Sequence, residues 1–484
     1  MTGSMRKVPN PLPLTVAGTL AVLGPQAVRF GVAIGGGEIY LLPNLSARGA
    51  LHLHWLMVVS AILETVLAYE CIKYSMCTGR SFFAATADLA PRNVWPWFWA
   101  TAAILTWAWP AWMGGAAVAA ERFTGLSTPK TLEAWGLPST YVWSAVGLLA
   151  VLAVFFCSDR TRAFVGKFLV VILLANLFLV LLVTLVAARP HHYGQVLKGY
   201  LGLTYLLEGS PAGRLDGTLA LALFSLPGGT LMWAGYWVIQ AGFGMGRHAG
   251  PAGRPLGAPE RILTEEIQWD TSDLVERRKM DQWIKLSGYG LILWWAVLGG
   301  IVVTYLYSVA GLAFLHDEFL RTGRVPEGAM VPLQMAVVAG GVLGPMAGWL
   351  MLLFLAVTLF EAQLRAYDTS VGRTACDAIA VTAKPETRRP YRVYHGIAVA
   401  AAVLAGFHLI TLAQPFAMWI GVAIASLVCR SIGAWQIWLI NRRRMPEGFA
   451  VSRLNAGLLW VTVLTGLGGV GYWAVAALPG AAAR

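Results

Sequence analysis

The 484 residues are 57% hydrophobic and 12% charged, with a mean hydropathy of +0.63, a balance that excludes an ordinary soluble globule. A formal net charge of +12 would suit nucleic acid, but the basic residues sit in the gaps between apolar runs and form no stripe, which excludes that partner. Apolar runs of about 18 to 25 residues, each long enough to cross the hydrocarbon core, recur along the chain. The class is therefore an all-α polytopic membrane protein, with the lipid bilayer as its surroundings.

Residues 1–14 contain Pro11 and Pro13 and no cleavable signal pattern, and read as a cytoplasmic tail. Eleven spans follow, at 15–43, 51–76, 96–119, 141–158, 163–188, 217–243, 284–314, 344–367, 393–413, 416–440 and 455–478, with a short tail over 479–484. Lys and Arg concentrate in alternate gaps, among them Lys73, Arg80 and Arg92, then Arg160 and Arg162, then Arg277, Arg278 and Lys279, and finally Arg442 to Arg444. The positive-inside bias puts the N-terminus in the cytoplasm and, with an odd number of spans, the C-terminus outside. Between spans six and seven, residues 244–283 start Gly/Pro-rich, as a connector, and end charged, as a surface helix leading into span seven; as a whole they read as a solvated loop. The tryptophans, with clusters such as Trp95, Trp97, Trp107 and Trp109, suit interfacial belts or a cavity lining, which composition does not separate.

Two spans are interrupted. In span one, QAVRFGVAIGGGEIYLLPNLSAR, the helix meets Gly35, Gly36 and Gly37 and then Glu38. Each glycine costs about 1 kcal/mol against alanine in a helix interior, so the helix is expected to open there. Irregular backbone at membrane depth is tolerated only where protein or a watery cavity encloses it, and an intramembrane carboxylate is costly enough to mark a functional site. In span six, GTLALALFSLPGGTLMWAGYWVIQAG, Pro227, Gly228 and Gly229 fall mid-membrane, just after Leu226 and before Thr230. An interrupted helix at the start of each half points to an inverted repeat with its site where the breaks meet. The halves are taken as 15–188 and 217–440, with 455–478 an extra helix of a transporter domain over 15–478. The carbonyl ends of both half-helices and the Glu38 carboxylate favour a cation as guest.

On these residues the chain resembles the Nramp family of divalent-metal transporters, of LeuT-type fold. The family's Asp-Pro-Gly-Asn falls on Gly35, Gly36, Gly37 and Glu38, its Met-Pro-His-Asn on Pro227 to Thr230, and Trp55 and Thr78-Gly79-Arg80 also match. The stretch LFEAQLRAYDTSVGRTACDAI resembles the eighth helix of divergent bacterial members, with Gln363, Asp368 and Arg373 as its marked polar positions. The resemblance implies eleven helices, a 5+5 inverted repeat with discontinuous helices one and six, and alternating-access transport. The departures change the ligand set: the family's Asp is Gly35, its Asn is Glu38, and its thioether is replaced by Pro227. Loss of the soft ligand favours a hard ion such as Mg2+, with Mn2+ the other candidate. Ala234 stands where the family has a histidine, and the third span lacks the charged residues linked to proton movement.

Glu38, Gly35 and Thr230 are thus the candidate metal ligands, with Gly36, Gly37, Leu226, Pro227, Gly228 and Gly229 shaping the site. Tyr40, Met232, Trp233, Tyr236 and Trp237 are candidate cavity walls, set against the ordinary reading of an aromatic stripe as packing. Glu64 reads as a proton relay or as the partner of Arg29, and Asp368 with Arg373 as an inner gate. Glu70 with Lys73 and Glu361 with Arg365 read as surface ion pairs, and His395 as a packing or interfacial residue. No cofactor, nucleophile constellation or phosphate-binding loop indicates an enzyme. A transporter of a small organic solute and a sensor that has lost transport are the alternatives.

Overall fold

Backbone groups inside a bilayer must be satisfied internally, which leaves helices as the economical answer for apolar runs of this length, and every regular element among the described residues is helical. The structure, a computed structural model, describes residues 5–15, 17, 42–108, 110–127, 138–157, 159–208, 220, 224–225, 229–249, 266–324, 330–383, 391–409 and 415–476. The first break, with Arg29, Gly35, Gly36, Gly37, Glu38 and Tyr40, lies outside them, as do Leu226, Pro227 and Gly228 and most of the Gly/Pro-rich connector. Five helices among the described residues are long and apolar enough to cross a membrane: Ala50–Thr78, Ser139–Phe156, Leu274–Thr322, Pro345–Thr382 and Arg453–Tyr472. A further pair, Val171–Ala187 and Pro190–Tyr200, is bent by 119° where Pro190 opens the second helix.

Several spans differ from their sequence-based bounds in ways the residues explain. Span seven is expected over 284–314 but starts at Leu274, where the Asp273 side chain accepts from the Val275 amide at 2.7 Å, a standard N-cap. It runs on through a π-helical stretch, Leu291–Val303, to Thr322. At roughly 1.5 Å per residue its 49 residues exceed a bilayer core about twofold. Span eight likewise continues past its expected end through a second π-helical stretch, Ala366–Arg373, to Thr382. Span three is not continuous: Val94–Trp107 stops and Ala111–Thr124 begins after Pro110, which cannot donate to the ladder. Span eight satisfies the carbonyls freed there, because Tyr367 Oη donates to Ala108 O at 2.9 Å and Gln363 Nε2 to Trp107 O at 3.4 Å.

Close helix approach uses glycine where a side chain would not fit. A Cβ on Gly311 of span seven would lie 2.2 Å from Pro43 Cα, so the end of span one, Leu42–Ala47, sits flush against span seven with all six residues buried. The buried polar groups also tie spans together. Glu70 and Lys73, expected at the surface, are both buried and 2.7 Å apart. Asn441 Nδ2 of span ten and Asn455 Nδ2 of span eleven donate to the two Glu70 carboxylate oxygens, each at 2.7 Å. The pair therefore fastens the last helix to span two instead of decorating a surface. The Glu361–Arg365 pair, 2.7 Å apart, is also removed from the surface on its acidic side, since Glu361 is buried.

The N-terminal segment, expected as a simple tail, is strapped to the start of span seven. Trp283 Nε1 donates to Pro9 O at 3.0 Å, Gln282 Nε2 donates to Leu12 O at 2.7 Å, and the Val8 amide donates to Glu276 Oε2. The segment before span seven is likewise not simply solvated. Trp269 is buried and donates to Cys77 O at 3.0 Å, and the Ile267 amide donates to Thr78 O at 2.8 Å, closing the end of span two.

Candidate functional site

The sixth span organises the centre. After its break the chain re-enters as a 3-10 turn, Gly229–Trp233, which places Gly229 and Thr230, and becomes α-helical over Ala234–Ala241. A tight 3-10 start is what a helix resumed after Pro-Gly-Gly would show. Before the break, Phe224 and Ser225 are helical and buried.

The residues around Phe224 include a buried cation and a buried carboxylate, Arg430 and Glu64. Ser60 Oγ donates to Phe224 O, three residues ahead of Pro227 in the sequence. Arg430 of span ten, 1% exposed, donates through Nη1 to Ser60 Oγ at 2.6 Å and to Phe224 O at 3.2 Å. Its guanidinium carbon lies 4.6 Å from the centre of the Phe224 ring, within cation–π range. Glu64, fully buried, stands one helical turn beyond Ser60 on the same face of span two and interacts electrostatically with Arg430. Leu63, Phe224 and Leu427 close an apolar shell around these groups. The positive charge thus rests on the Phe224 carbonyl and the Ser60 hydroxyl, within the field of the Glu64 carboxylate.

After the break the contacts are of another kind. Trp233 Nε1 donates to Thr374 Oγ1 at 2.7 Å, and Tyr236 Oη donates to Asp377 Oδ2 at 2.6 Å, both partners being on span eight. Ser81 Oγ, just past the end of span two, donates to the same Asp377 oxygen. The Phe83 ring stacks on Tyr236 with centroids 5.6 Å apart and lies 4.9 Å from Trp233. The Arg373 guanidinium carbon also lies 5.9 Å from the Tyr236 centroid. With the Gln240 carboxamide turned so that its oxygen faces Arg373, that oxygen accepts from both terminal guanidinium nitrogens. Arg373 and Asp368 are 3.8 Å apart, and His395 Nε2 lies 2.9 Å from Asp368 O and 3.4 Å from its carboxylate.

Of the residues singled out in the sequence, the structure brings together Trp233, Tyr236, Arg373 and Asp368, and it buries Met232 where a Cβ on Gly433 would meet its sulfur at 2.2 Å. Trp237 is buried as well. His395 combines packing, edge-on against Phe155, with its hold on Asp368. Thr78-Gly79-Arg80 is a built turn. Gly79 takes φ +68 with its amide on Ser75 O, and Arg80 pairs with Asp88 at 2.6 Å. The tryptophans divide: Trp97 is exposed, while Trp107 is buried and stacked on Trp112 with centroids 5.3 Å apart. Two residues escaped sequence reasoning. Asp377 stands four positions after Arg373, a spacing that marks one helix face, and Arg430 is a lone cation in an otherwise apolar run. Among the described residues no group of three or more His, Cys, Asp or Glu side chains gathers to hold a metal.

The manganese transporter of Eremococcus coleocola, solved with an aromatic bis-isothiourea compound, superposes with a TM-score of 0.62 over 97% of this chain and 90% of its own, at 13% identity. Mhp1, a nucleobase-cation-symport-1 family transporter, superposes with a TM-score of 0.51 over 97% of this chain and 96% of its own, at 12% identity. The chain has the LeuT-type fold. No protein-family model matches it, and no curated sequence matches it. With this fold, discontinuous helices one and six are the expected frame of a central site.

Proposed function

We propose that the protein is a secondary transporter related to Nramp that carries a divalent, hard metal cation, Mg2+ or Mn2+, across the cell membrane by alternating access. The observation that carries this reading is the sequence itself, with Glu38 directly after Gly35-Gly36-Gly37 in the first span, and the LeuT-type fold supports it, since discontinuous first helices commonly frame a transporter's site. Glu38 supplies the formal charge, and backbone oxygens near Gly35 and Leu226 with the Thr230 hydroxyl complete an oxygen-only set suited to a hard ion that keeps some of its water. Tyr40, Met232, Trp233 and Tyr236 wall the path, and Asp368 with Arg373 guards its cytoplasmic end. The N-terminus faces the cytoplasm and the C-terminus the outside, with repeats over 15–188 and 217–440.

Equilibrium binding tests the site. Purified protein titrated with Mn2+ and Mg2+ is expected to give saturable binding that Glu38→Gln abolishes while its unfolding midpoint stays put; equal binding by the variant would remove Glu38 from the site. A small organic solute is the second reading, favoured by the aromatic lining of Phe83, Trp233 and Tyr236 beside the break. A metabolite screen by thermal shift would then find a ligand where the metals give none.

A further inference from the structure

A short apolar helix, Met330–Leu343, folds back along the start of span eight, Pro345–Arg365, through Gly344 at φ +95. The two lie too close for side chains between them: a Cβ on Gly348 would be 2.6 Å from Ala336 O and 3.1 Å from Gly340 Cα. A groove of about 520 Å³ remains beside them, bordered by the second half of span three, Ala111–Thr124. Its apolar walls are Leu333, Val337 and Leu352, with Val337 exposed, and its polar side chains are Arg122 and Gln334. Arg122 is exposed and has no hydrogen-bond or ion-pair partner among the described residues. Pro345 lines the same groove and opens span eight, whose N-terminus no side chain caps, so the partial positive charge of a long helix adds to that of Arg122. Two tryptophans mark the depth. Trp349 Nε1 donates to Phe123 O at 3.1 Å and Trp143 Nε1 to Leu126 O at 3.0 Å, so two indoles gather at the end of the helix that carries Arg122. Indoles settle at the membrane–water boundary, at the level of the lipid headgroups.

We propose that this groove is a binding site for an anionic phospholipid, with one acyl chain lying along Leu333, Val337 and Leu352 and the headgroup phosphate on Arg122. Walls that are apolar and a rim that is positive match an amphiphile with an acidic head, which neither a free anion nor a bare hydrocarbon satisfies. The volume falls within the roughly 300–1,000 Å³ of small-ligand pockets, which suits one chain better than a protein partner. The proposed cation site shares no residue with the groove, so either can fail without the other.

The test uses phosphatidylglycerol with a photoactivatable group on one acyl chain, added to the purified, delipidated full-length protein in detergent, with crosslinked peptides identified by mass spectrometry. Adducts are expected on Met330–Leu343 and Pro345–Arg365. Unlabelled phosphatidylglycerol should displace the probe there at about fivefold lower concentration than phosphatidylcholine, the effect of one basic residue at a lipid headgroup. Inorganic phosphate should not displace it. Arg122→Gln is expected to erase the difference between the two lipids while its unfolding midpoint stays put, and Val337→Trp, which fills the groove, to lose most of the adducts. No adducts on these two helices, equal displacement by the two lipids in wild type, or a preference that survives Arg122→Gln would overturn the proposal. Displacement by inorganic phosphate would also overturn it, by assigning the groove's charge to a free anion instead of a lipid.

Discussion

The two halves of span six are fastened in opposite ways. Before the break, Phe224 is held by a fixed charge, with Arg430 and Ser60 on its carbonyl and Glu64 alongside. After the break, Trp233, Tyr236 and Gln240 are held by separate hydrogen bonds to Thr374, Asp377 and Arg373 of span eight. Removing the Arg430 guanidinium takes a charged donor from both Ser60 Oγ and Phe224 O, at about 1.5–3 kcal/mol for each bond. A single hydrogen bond contributes about 1 kcal/mol net between neutral groups, as at Trp233, and about 1.5–3 kcal/mol where one group is charged, as at Asp377 and Arg373. The first attachment suits a permanent joint, and the second a latch that opens in steps within the range of ordinary conformational equilibria.

The largest effect is expected at the joint. Arg430→Met should lower stability by about 3–5 kcal/mol, because it removes two charge-assisted hydrogen bonds, to Ser60 Oγ and Phe224 O, as read from unfolding in denaturant; a loss below 1 kcal/mol would put the joint in the same class as the latch. Next comes Tyr236→Phe, which takes a donor from the buried Asp377 carboxylate, a bond worth about 1.5–3 kcal/mol. Cys376, buried next to Asp377 in sequence, reports on it: its alkylation should quicken by about tenfold or more in this variant, by the rule that about 1.4 kcal/mol is a factor of ten. Arg430→Lys should leave that rate unchanged. Trp233→Phe loses one neutral bond, worth about 1 kcal/mol, and should quicken Cys376 alkylation by roughly fivefold. The smallest change is expected away from both halves. Lys285→Ala breaks the 2.7 Å pair with Asp281, whose side chains are both about half exposed, and should alter neither stability nor labelling measurably.

Much of the fold was legible because its signals are local. Apolar runs marked the long helices that the structure shows among the described residues, and a 3-10 turn starts at Gly229, directly after Pro227-Gly228 in the sequence. Pro110 carried the same kind of signal within span three, yet the run around it is apolar enough to read as continuous. The site was legible by residue type more than by partner. Arg373 with Asp368 stood out as charges near a helix end, whereas Asp377 owes its importance to Tyr236 and Ser81, which lie 141 and 296 residues away. The same holds for Arg430, whose partners Ser60 and Phe224 are 370 and 206 residues distant. Glu70 and Lys73 show the opposite error. Their spacing fits a surface pair, and only the arrival of Asn441 and Asn455 makes them a buried joint.

Flux decides the central claim. Purified protein in proteoliposomes, loaded with a metal-sensitive dye and exposed to Mg2+, Mn2+ or Ca2+ with and without a pH gradient, should admit Mg2+ or Mn2+, and Glu38→Gln protein in parallel vesicles should not. Folded wild-type protein that passes none of these ions, or a variant that passes them as well as wild type, would contradict the assignment of a divalent cation to the break at Glu38.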